Sequence, residues 1–530
     1  MSNIRILDCT LRDGGYINDW RFGLKNIKNI ISKLNDAYID FIEVGFLEDK
    51  PEYEYNAEKA FFNTVDQIES LIPAQKKCRL YVAMSRYGRL DTQKLKYHNA
   101  KSIDGIRVTF HIDEVDEALE FCKRIDEKGY LVFIQPVGTT MYTDEELLRL
   151  IKKVNGFKPY AFYVVDTLGV MQYYDIQRLF LLVDNNLDSC ILRGFHSHNN
   201  LQMSFSNAQA LSDIKLKNKI IIDSSVDGMG RGAGNLNTEL ITEYLNTNKG
   251  GNYRIEYLLE IIDEYIRNAK NEHNWGYSIP YYLAAVKNCH PSYATYLTGR
   301  QTLPISAISR VLDMIPKNQS ELFDKELINS LYFEFQKHHI DDSDQLLNLS
   351  NKLRGKNILL IAPGKSVVEH EDVILRFINE NNPTIITINH FMERLPTDYL
   401  FFSNQKRYES FNRKNANGVA NIVVTSNIQA TKGDEYVFDY SSLLNDISYV
   451  KDNATLILLK LLKKVNIDAV TIAGLDGYLI GSNYYKKELD RRIDDSITGS
   501  INQGMREYIR KAKKDISITF LTPSLYDTKD

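Results

Sequence analysis

Up to Ser224 the chain alternates short β-branched runs with longer amphipathic stretches, and it does so eight times. The runs are Arg5–Cys9, Phe41–Gly45, Arg79–Ala83, Gly105–Phe110, Leu131–Pro136, Ala161–Asp166, Ile191–His196 and Lys219–Ser224. Stretches such as Asp113–Lys128, Thr143–Val154 and Tyr173–Asn185 carry helical periodicity between them. Each run is long enough for one strand and each stretch for one helix, so the pattern predicts parallel strands joined by helical crossovers. Eight such units in this length are the arithmetic of a (β/α)8 TIM barrel. A doubly wound open sheet is the competing architecture. The strand count and the positions of the motifs below favour the barrel.

The chain has 530 residues, too many for one core. After the eighth unit the pattern changes. Residues 254–340 read as a helical extension rich in Tyr and Leu, and the polar residues 341–356 read as a linker. Alternation then restarts with Ile358–Ala362, Thr384–Asn389, Tyr399–Ser403, Ile422–Thr425 and Ala469–Ala473. The expected organisation is a TIM barrel over 1–253, the extension, the linker and a Rossmann-like open α/β domain over 357–530. Hydrophobic residues make up 43% and charged residues 25%, as in ordinary soluble globular chains. Lys+Arg is 65 against Asp+Glu 69, a net charge of −4 that gives no reason to expect nucleic acid or an anionic membrane as partner. Five scattered cysteines without a CxxC pair point to reduced thiols and a cytoplasmic setting. No apolar signal region and no run of about 18 apolar residues is present, so neither secretion nor a membrane span is expected.

Asp13 follows the first strand, and in a barrel the loops after the strands form the active face. His196-Ser197-His198 closes the seventh strand, where residues at i and i+2 point to one side. Two imidazoles and a carboxylate make an open metal shell with room for substrate oxygens and water. An N/O set without thiolate suits Mn2+ or Mg2+, with Zn2+ or Co2+ as substitutes. An HxH pair alone is more often a surface or core feature; its place at a strand end, opposite an acid at another, is what raises its weight. The run Gly228-Met229-Gly230-Arg231-Gly232-Ala233-Gly234-Asn235 after the eighth strand adds a loop whose backbone can approach a ligand closely, or one that is simply flexible.

With these motifs in place the chain resembles the DRE-TIM metallolyases. The resemblance is carried by Asp8-Cys9-Thr10-Leu11-Arg12-Asp13-Gly14-Gly15, Gly194-Phe195-His196-Ser197-His198-Asn199-Asn200 and Gly232-Ala233-Gly234-Asn235. Within that superfamily it is similar to the 4-hydroxy-2-oxovalerate aldolase group, through Gly105–His111, Val164–Met171 and Trp275–Tyr282, and it spans residues 3–335. The resemblance implies a class II pyruvate aldolase that makes or breaks a 4-hydroxy-2-keto acid through a pyruvate enolate, taking a 2-keto acid and an aldehyde as small-molecule partners. It implies Asp13, His196 and His198 as metal ligands, Arg12 facing the enolate oxygen, and Asn235 and Thr167 beside the substrate. Glu43 is expected to order Arg12 or a metal-bound water, or to partner a buried cation. The aldolase group places a histidine base three residues after the motif aspartate, where this chain has Tyr16. Tyr16 is therefore a candidate for proton transfer or for positioning, with His111 as the other candidate. The departure opens the aldehyde to hydroxylated, phosphorylated or sugar-like forms. Another DRE-TIM reaction, a CoA-ester lyase or a Claisen-type synthase, is the alternative, although the lyases need a loop cysteine and none lies between Cys190 and Cys289.

In the second domain Gly364-Lys365-Ser366 follows a strand, but Leu359 stands where a Walker loop needs its first glycine. Gly474-Leu475-Asp476-Gly477 is a second unspecific loop. The arrangement loosely resembles Rossmann-like domains of glycan-modifying enzymes, including sialyltransferase-like folds, which leaves a bifunctional enzyme acting on a sugar or nucleotide-sugar as a further alternative. The Tyr-rich stretch with Tyr281, Tyr282, Tyr293 and Tyr296 packs internally or forms a homodimer face.

Overall fold

Leu7 and Asp8 pair with Phe41 and Ile42 on one side and with Asp223 and Ser224 on the other, and this double pairing closes the first sheet on itself. The computed structural model describes residues 3–49, 54–78, 80–411, 421–429, 435–479, 481, 483–485 and 495–527. The barrel strands are β1 (Ile4–Asp8), β2 (Phe41–Leu47), β4 (Leu80–Arg86), β5 (Gly105–Phe110), β6 (Leu131–Pro136), β7 (Ala161–Asp166), β8 (Leu192–Ser197) and β9 (Ile220–Ser224). They run parallel in that order around the ring. A two-residue strand β3 (Phe61–Phe62) extends the sheet beyond the end of β2. This is the expected TIM barrel. Arg79, the expected start of the third run, lies outside the described residues.

The strand period of two sorts the side chains. Ile6, Ile42, Ile106, Val132 and Ile222 face outward into the large core shared with the helices, while Leu7, Phe41, Val82, Phe133, Tyr163 and Ile221 fill the barrel interior. The helix Leu24–Asp36 buries Ile27, Ile30, Ile31 and Leu34, the i, i+3, i+4, i+7 stripe that docks onto such an outer face. The helix Asp144–Phe157 starts on a capping box: Thr143 Oγ1 accepts from Glu146 N at 3.2 Å and Glu146 Oε2 accepts from Thr143 N at 2.8 Å.

The second sheet contains β10 (Ile358–Ile361), β11 (Thr384–Ile388), β12 (Tyr399–Phe402), β13 (Asn421–Thr425), β14 (Tyr436–Phe438), β15 (Ala469–Ala473) and β16 (Ser517–Phe520). All pairings are parallel, in the order β14-β13-β12-β11-β10-β15-β16. The order reverses direction at β10, as in a doubly wound Rossmann-like sheet. Apolar clusters cover both faces. β14 and β16, the two edges, are not among the runs expected from sequence; they are short and partly exposed, so their hydrophobic signal is weak.

The chain divides into two compact units, residues 1–291 with 320–322, and residues 292–319 with 323–530. The segment read as one helical extension is thus divided. Trp275 donates from Nε1 to Asp227 O at 3.0 Å within the first unit. In the second, Arg300 Nη2 and the Tyr332 hydroxyl both donate to Asp452 Oδ2 at 2.8 Å. Where the sequence suggests a linker, the structure has a helix, Ser343–Leu353, whose Leu349 and Leu353 enter the core beside Ile358 and Leu360. Its polar majority is a solvated face, and three well-spaced leucines suffice to dock it. Among the described residues no helix is long and apolar enough to cross a membrane.

Candidate metal centre

Above the apolar floor of the barrel lies a charged layer, and the strand period explains it. Two residues beyond inward-facing Phe41 and Ile221 come Glu43 and Asp223; two beyond Gly105 comes Arg107; four beyond Leu192 comes His196. Arg12 and Asp13 descend from the turn after β1 to meet them. Glu43 Oε2 accepts from Arg12 Nε at 2.8 Å and lies 2.8 Å from Arg107 Nη1. Arg107 Nη2 donates to Asp223 Oδ2. That oxygen stands 3.0 Å from His196 Nδ1, and His196 Nε2 stands 3.3 Å from Asp13 Oδ2. Arg12 Nη1, 3.5 Å from the same Asp13 oxygen, closes the ring. All six side chains belong to residues at most 5% exposed. Burying so many charges is tolerable only because each faces an opposite one.

The electrostatics follow from burial and from this alternation. Burial pushes Asp13 up, but Arg12 and the two histidines carry it well below the usual carboxylate range. Burial also raises Asp223, and Arg107 and His196 outweigh it, leaving its pKa lowered. Burial lowers His196, yet its contacts with the carboxylates of Asp13 and Asp223 leave it raised. For His198 burial outweighs the opposing charge of Asp13 and brings it down to about 4, so its imidazole is neutral at physiological pH and available as a ligand. The two imidazole rings stand nearly perpendicular with centroids 5.3 Å apart.

The donor set fits a divalent cation. Asn235 Oδ1 is a buried acceptor that receives no hydrogen bond, and Asp13 Oδ2 is met only by the longer contacts of the charged ring, 3.3 Å from His196 and 3.5 Å from Arg12. Asn235 donates from Nδ2 to Met229 O at 3.2 Å, which fixes its other atom as the free oxygen, and its backbone bridges to His198. Asp13, His196 and Cys9 bring ligand atoms within 4.8 Å of one another. Cys9 is better understood as structure. Its thiol donates to Ser224 O at 3.2 Å, and burial holds it well above the usual thiol range, so it remains protonated.

The other expected residues divide between the ring and its rim. Glu43 stands behind both arginines and acts on the site through them. Tyr16 sits at the barrel mouth, 38% exposed, with its ring 4.9 Å from Trp20 and 5.9 Å from Phe46. Burial raises its pKa and Arg12 only partly offsets this, so the phenol is neutral near pH 7. His111 is partly buried just after β5, and its backbone N–H donates to Glu114 Oε2 at 2.9 Å. Thr167 Oγ1 accepts from Gly138 N at 2.9 Å, tying the loops after β6 and β7. Two members of the ring, Arg107 and Asp223, were not singled out in the sequence. The available signal was a charged residue at an inward register position of an otherwise apolar strand.

Residues 3–263 match the HMGL-like family. The 4-hydroxy-2-oxovalerate aldolase of Geobacillus genomosp. 3 is 26% identical over 247 residues, which are 46% of this chain and 70% of that protein. That of Pseudoalteromonas translucida (strain TAC 125) is 26% identical over 290 residues, 52% of this chain and 81% of its own. A solved N-terminal domain from Bacteroides vulgatus overlays 56% of this chain and 96% of its own at a TM-score of 0.49 and 28% identity. Over its barrel the chain carries an HMGL-like domain, and there it is similar to the 4-hydroxy-2-oxovalerate aldolases.

Proposed function

We propose that the barrel catalyses the reversible cleavage of a 4-hydroxy-2-keto acid into pyruvate and an aldehyde. One observation carries the reading: the buried ring leaves Arg12 Nη2 as a donor without a hydrogen bond and Asn235 Oδ1 as an acceptor without one, while Asp13 Oδ2 meets His196 and Arg12 only through ion pairs of 3.3 and 3.5 Å. Such a set suits a substrate that brings both a developing oxyanion and a cation-chelating keto acid. In the cleavage direction the bond between C3 and C4 breaks. The C4 hydroxyl loses its proton as it becomes the aldehyde carbonyl, and the electron pair passes into the pyruvate enolate, which is then protonated at C3. Arg12 donates to the oxygen on which charge gathers, and Glu43 keeps the guanidinium in place through its 2.8 Å contact. A divalent cation held by Asp13, His196 and His198, with Asn235 beside them, would polarise the 2-keto carbonyl when bound; Mn2+ or Mg2+ suits these donors, and Zn2+ or Co2+ can replace them. With its raised pKa, Tyr16 suits the orientation of the C4 hydroxyl better than proton abstraction, which leaves His111 or water to accept the proton.

The test couples metal-loaded protein to lactate dehydrogenase and offers a panel of 4-hydroxy-2-keto acids. Pyruvate release is expected, abolished by EDTA and lowered by roughly 100-fold or more in Arg12→Ala, the loss typical of one oxyanion donor. No release from any substrate, together with no deuterium exchange into the methyl group of pyruvate, would refute the proposal.

A further inference from the structure

The loop after β9 carries a second arginine to the barrel mouth. The Arg231 guanidinium lies 5.8 Å from the centroid of the Tyr16 ring, and its Nη2 is 3.1 Å from His290 Nε2. A second cation, Arg86, lies 5.5 Å from the centroid of the Phe46 ring that touches Tyr16. The two cations differ in one respect. Arg86 is bound by Glu48 through two hydrogen bonds of 2.6 and 2.7 Å. Among the described residues no carboxylate lies within 4.0 Å of Arg231, which is itself exposed while Met229, Gly230 and Gly232–Asn235 around it are buried.

The partner that Arg231 does have is the informative one. A carboxylate would both orient the guanidinium and cancel its charge. A neutral imidazole accepts a hydrogen bond and orients it without cancelling anything. Burial, assisted by Arg231 itself, brings His290 down to about 4, so the ring is neutral and its Nε2 accepts from the guanidinium. Arg231 is thus a fixed positive charge at the rim, beside the one residue, Tyr16, where this chain departs from the histidine of the aldolase group. Guanidinium planes match phosphate and carboxylate oxygens in pairs.

We propose that Arg231, oriented by His290 and stacked on Tyr16, binds an anionic group on the aldehyde, so that the acceptor is a phosphorylated or carboxylated aldehyde and not a simple alkyl one. The assignment rests on the aldolase reading for the identity of the ligand as acceptor, but the anion site stands by itself. The two parts are therefore measured separately. In the first arm, glycerol 3-phosphate and glycerate serve as unreactive probes, with glycerol as the uncharged control, and binding to the full chain is followed by calorimetry. Charge-assisted hydrogen bonds lead to an expected affinity for at least one anionic probe about 10-fold or more above that for glycerol, with most of that margin lost in Arg231→Ala and partly kept in Arg231→Lys. Preference between the two probes identifies phosphate or carboxylate. Failure of both anions to bind more tightly than glycerol, or equal binding by wild type and Arg231→Ala, would overturn the proposal. In the second arm, kcat/KM is compared for 4-hydroxy-2-keto acids with acidic and neutral distal ends. The acidic-to-neutral ratio is expected to fall about 10-fold in Arg231→Ala. An unchanged ratio overturns the acceptor assignment. Absence of pyruvate from every substrate defeats the aldolase reading, while the probe arm still decides the anion site.

Discussion

His196 reaches two carboxylates at once, Asp223 through Nδ1 and Asp13 through Nε2, and only one of them is a candidate ligand. Asp223 has another function: it sits between His196 and Arg107 and fixes the imidazole so that Nε2 faces Asp13. Removing its charge while keeping its shape should loosen that ring. Asp223→Asn is expected to lower Mn2+ affinity about 10- to 100-fold, measured by titration of free Mn2+, and to lower the unfolding midpoint as well, because buried Arg107 then keeps only Glu43 as an opposite charge. Unaltered affinity would show that Arg107 and packing alone orient the histidine. Asp13, His196 and His198 were legible in the sequence because each stands at a strand end within a recognisable local motif. Asp223 and Arg107 were not, because their meaning is a pairing between residues 116 positions apart. No local window contains both. Tyr16 was visible as a departure, whereas its link to Arg231 depends on two loops meeting in space.

Strands were legible where both faces are buried, as in the seven consecutive buried residues of β2, and illegible at the edges, as in β16. Turn chemistry adds a further element of the barrel that responds to pH. Asp8 ends β1 and holds the following turn: its Oδ1 accepts from Thr10 N at 3.0 Å and its Oδ2 from Thr238 Oγ1 at 2.7 Å. Burial raises its pKa to about 6, the hydrogen bonds from Thr238 and Thr10 only partly opposing it. The folded state therefore holds a proton that the unfolded state releases, and this contribution to stability is present at low pH and lost as pH rises through about 6. Between pH 5.5 and 7.5 the loss amounts to about 1 kcal/mol from this one group. Asp8→Asn removes the titration while keeping an acceptor for Thr10. Urea denaturation at the two pH values should show the gap in stability between wild type and variant shifting by about 1 kcal/mol in favour of the variant at pH 7.5. A gap independent of pH would mean that Asp8 is ionised throughout.

At the scale of the whole chain, composition suggested a boundary that packing does not respect. Polar residues 341–356 look like a tether, and a fragment beginning at 357 would seem the natural second domain. The second compact unit instead begins at 292 and includes two helical features that such a cut removes. The helix Ser343–Leu353 contributes Leu349 and Leu353, 2% and 0% exposed, to the core under β10. Earlier residues supply Arg300 and Tyr332, which together satisfy Asp452. Burying a leucine contributes about 1.5–3 kcal/mol, so the two leucines alone represent roughly 3–6 kcal/mol, comparable with the total stability of many domains. Loss of the helix would also expose an apolar face beside β10. Residues 292–530 are therefore expected to unfold cooperatively in urea and to elute as a defined species. Residues 357–530 are expected to have a midpoint lower by at least about 1 M, given a urea dependence of about 1–3 kcal/mol/M, and to aggregate on size exclusion. Equal midpoints for the two fragments would mean that the helix Ser343–Leu353 and the Asp452 cluster contribute nothing to the second core, and that the polar segment is the tether its composition suggests.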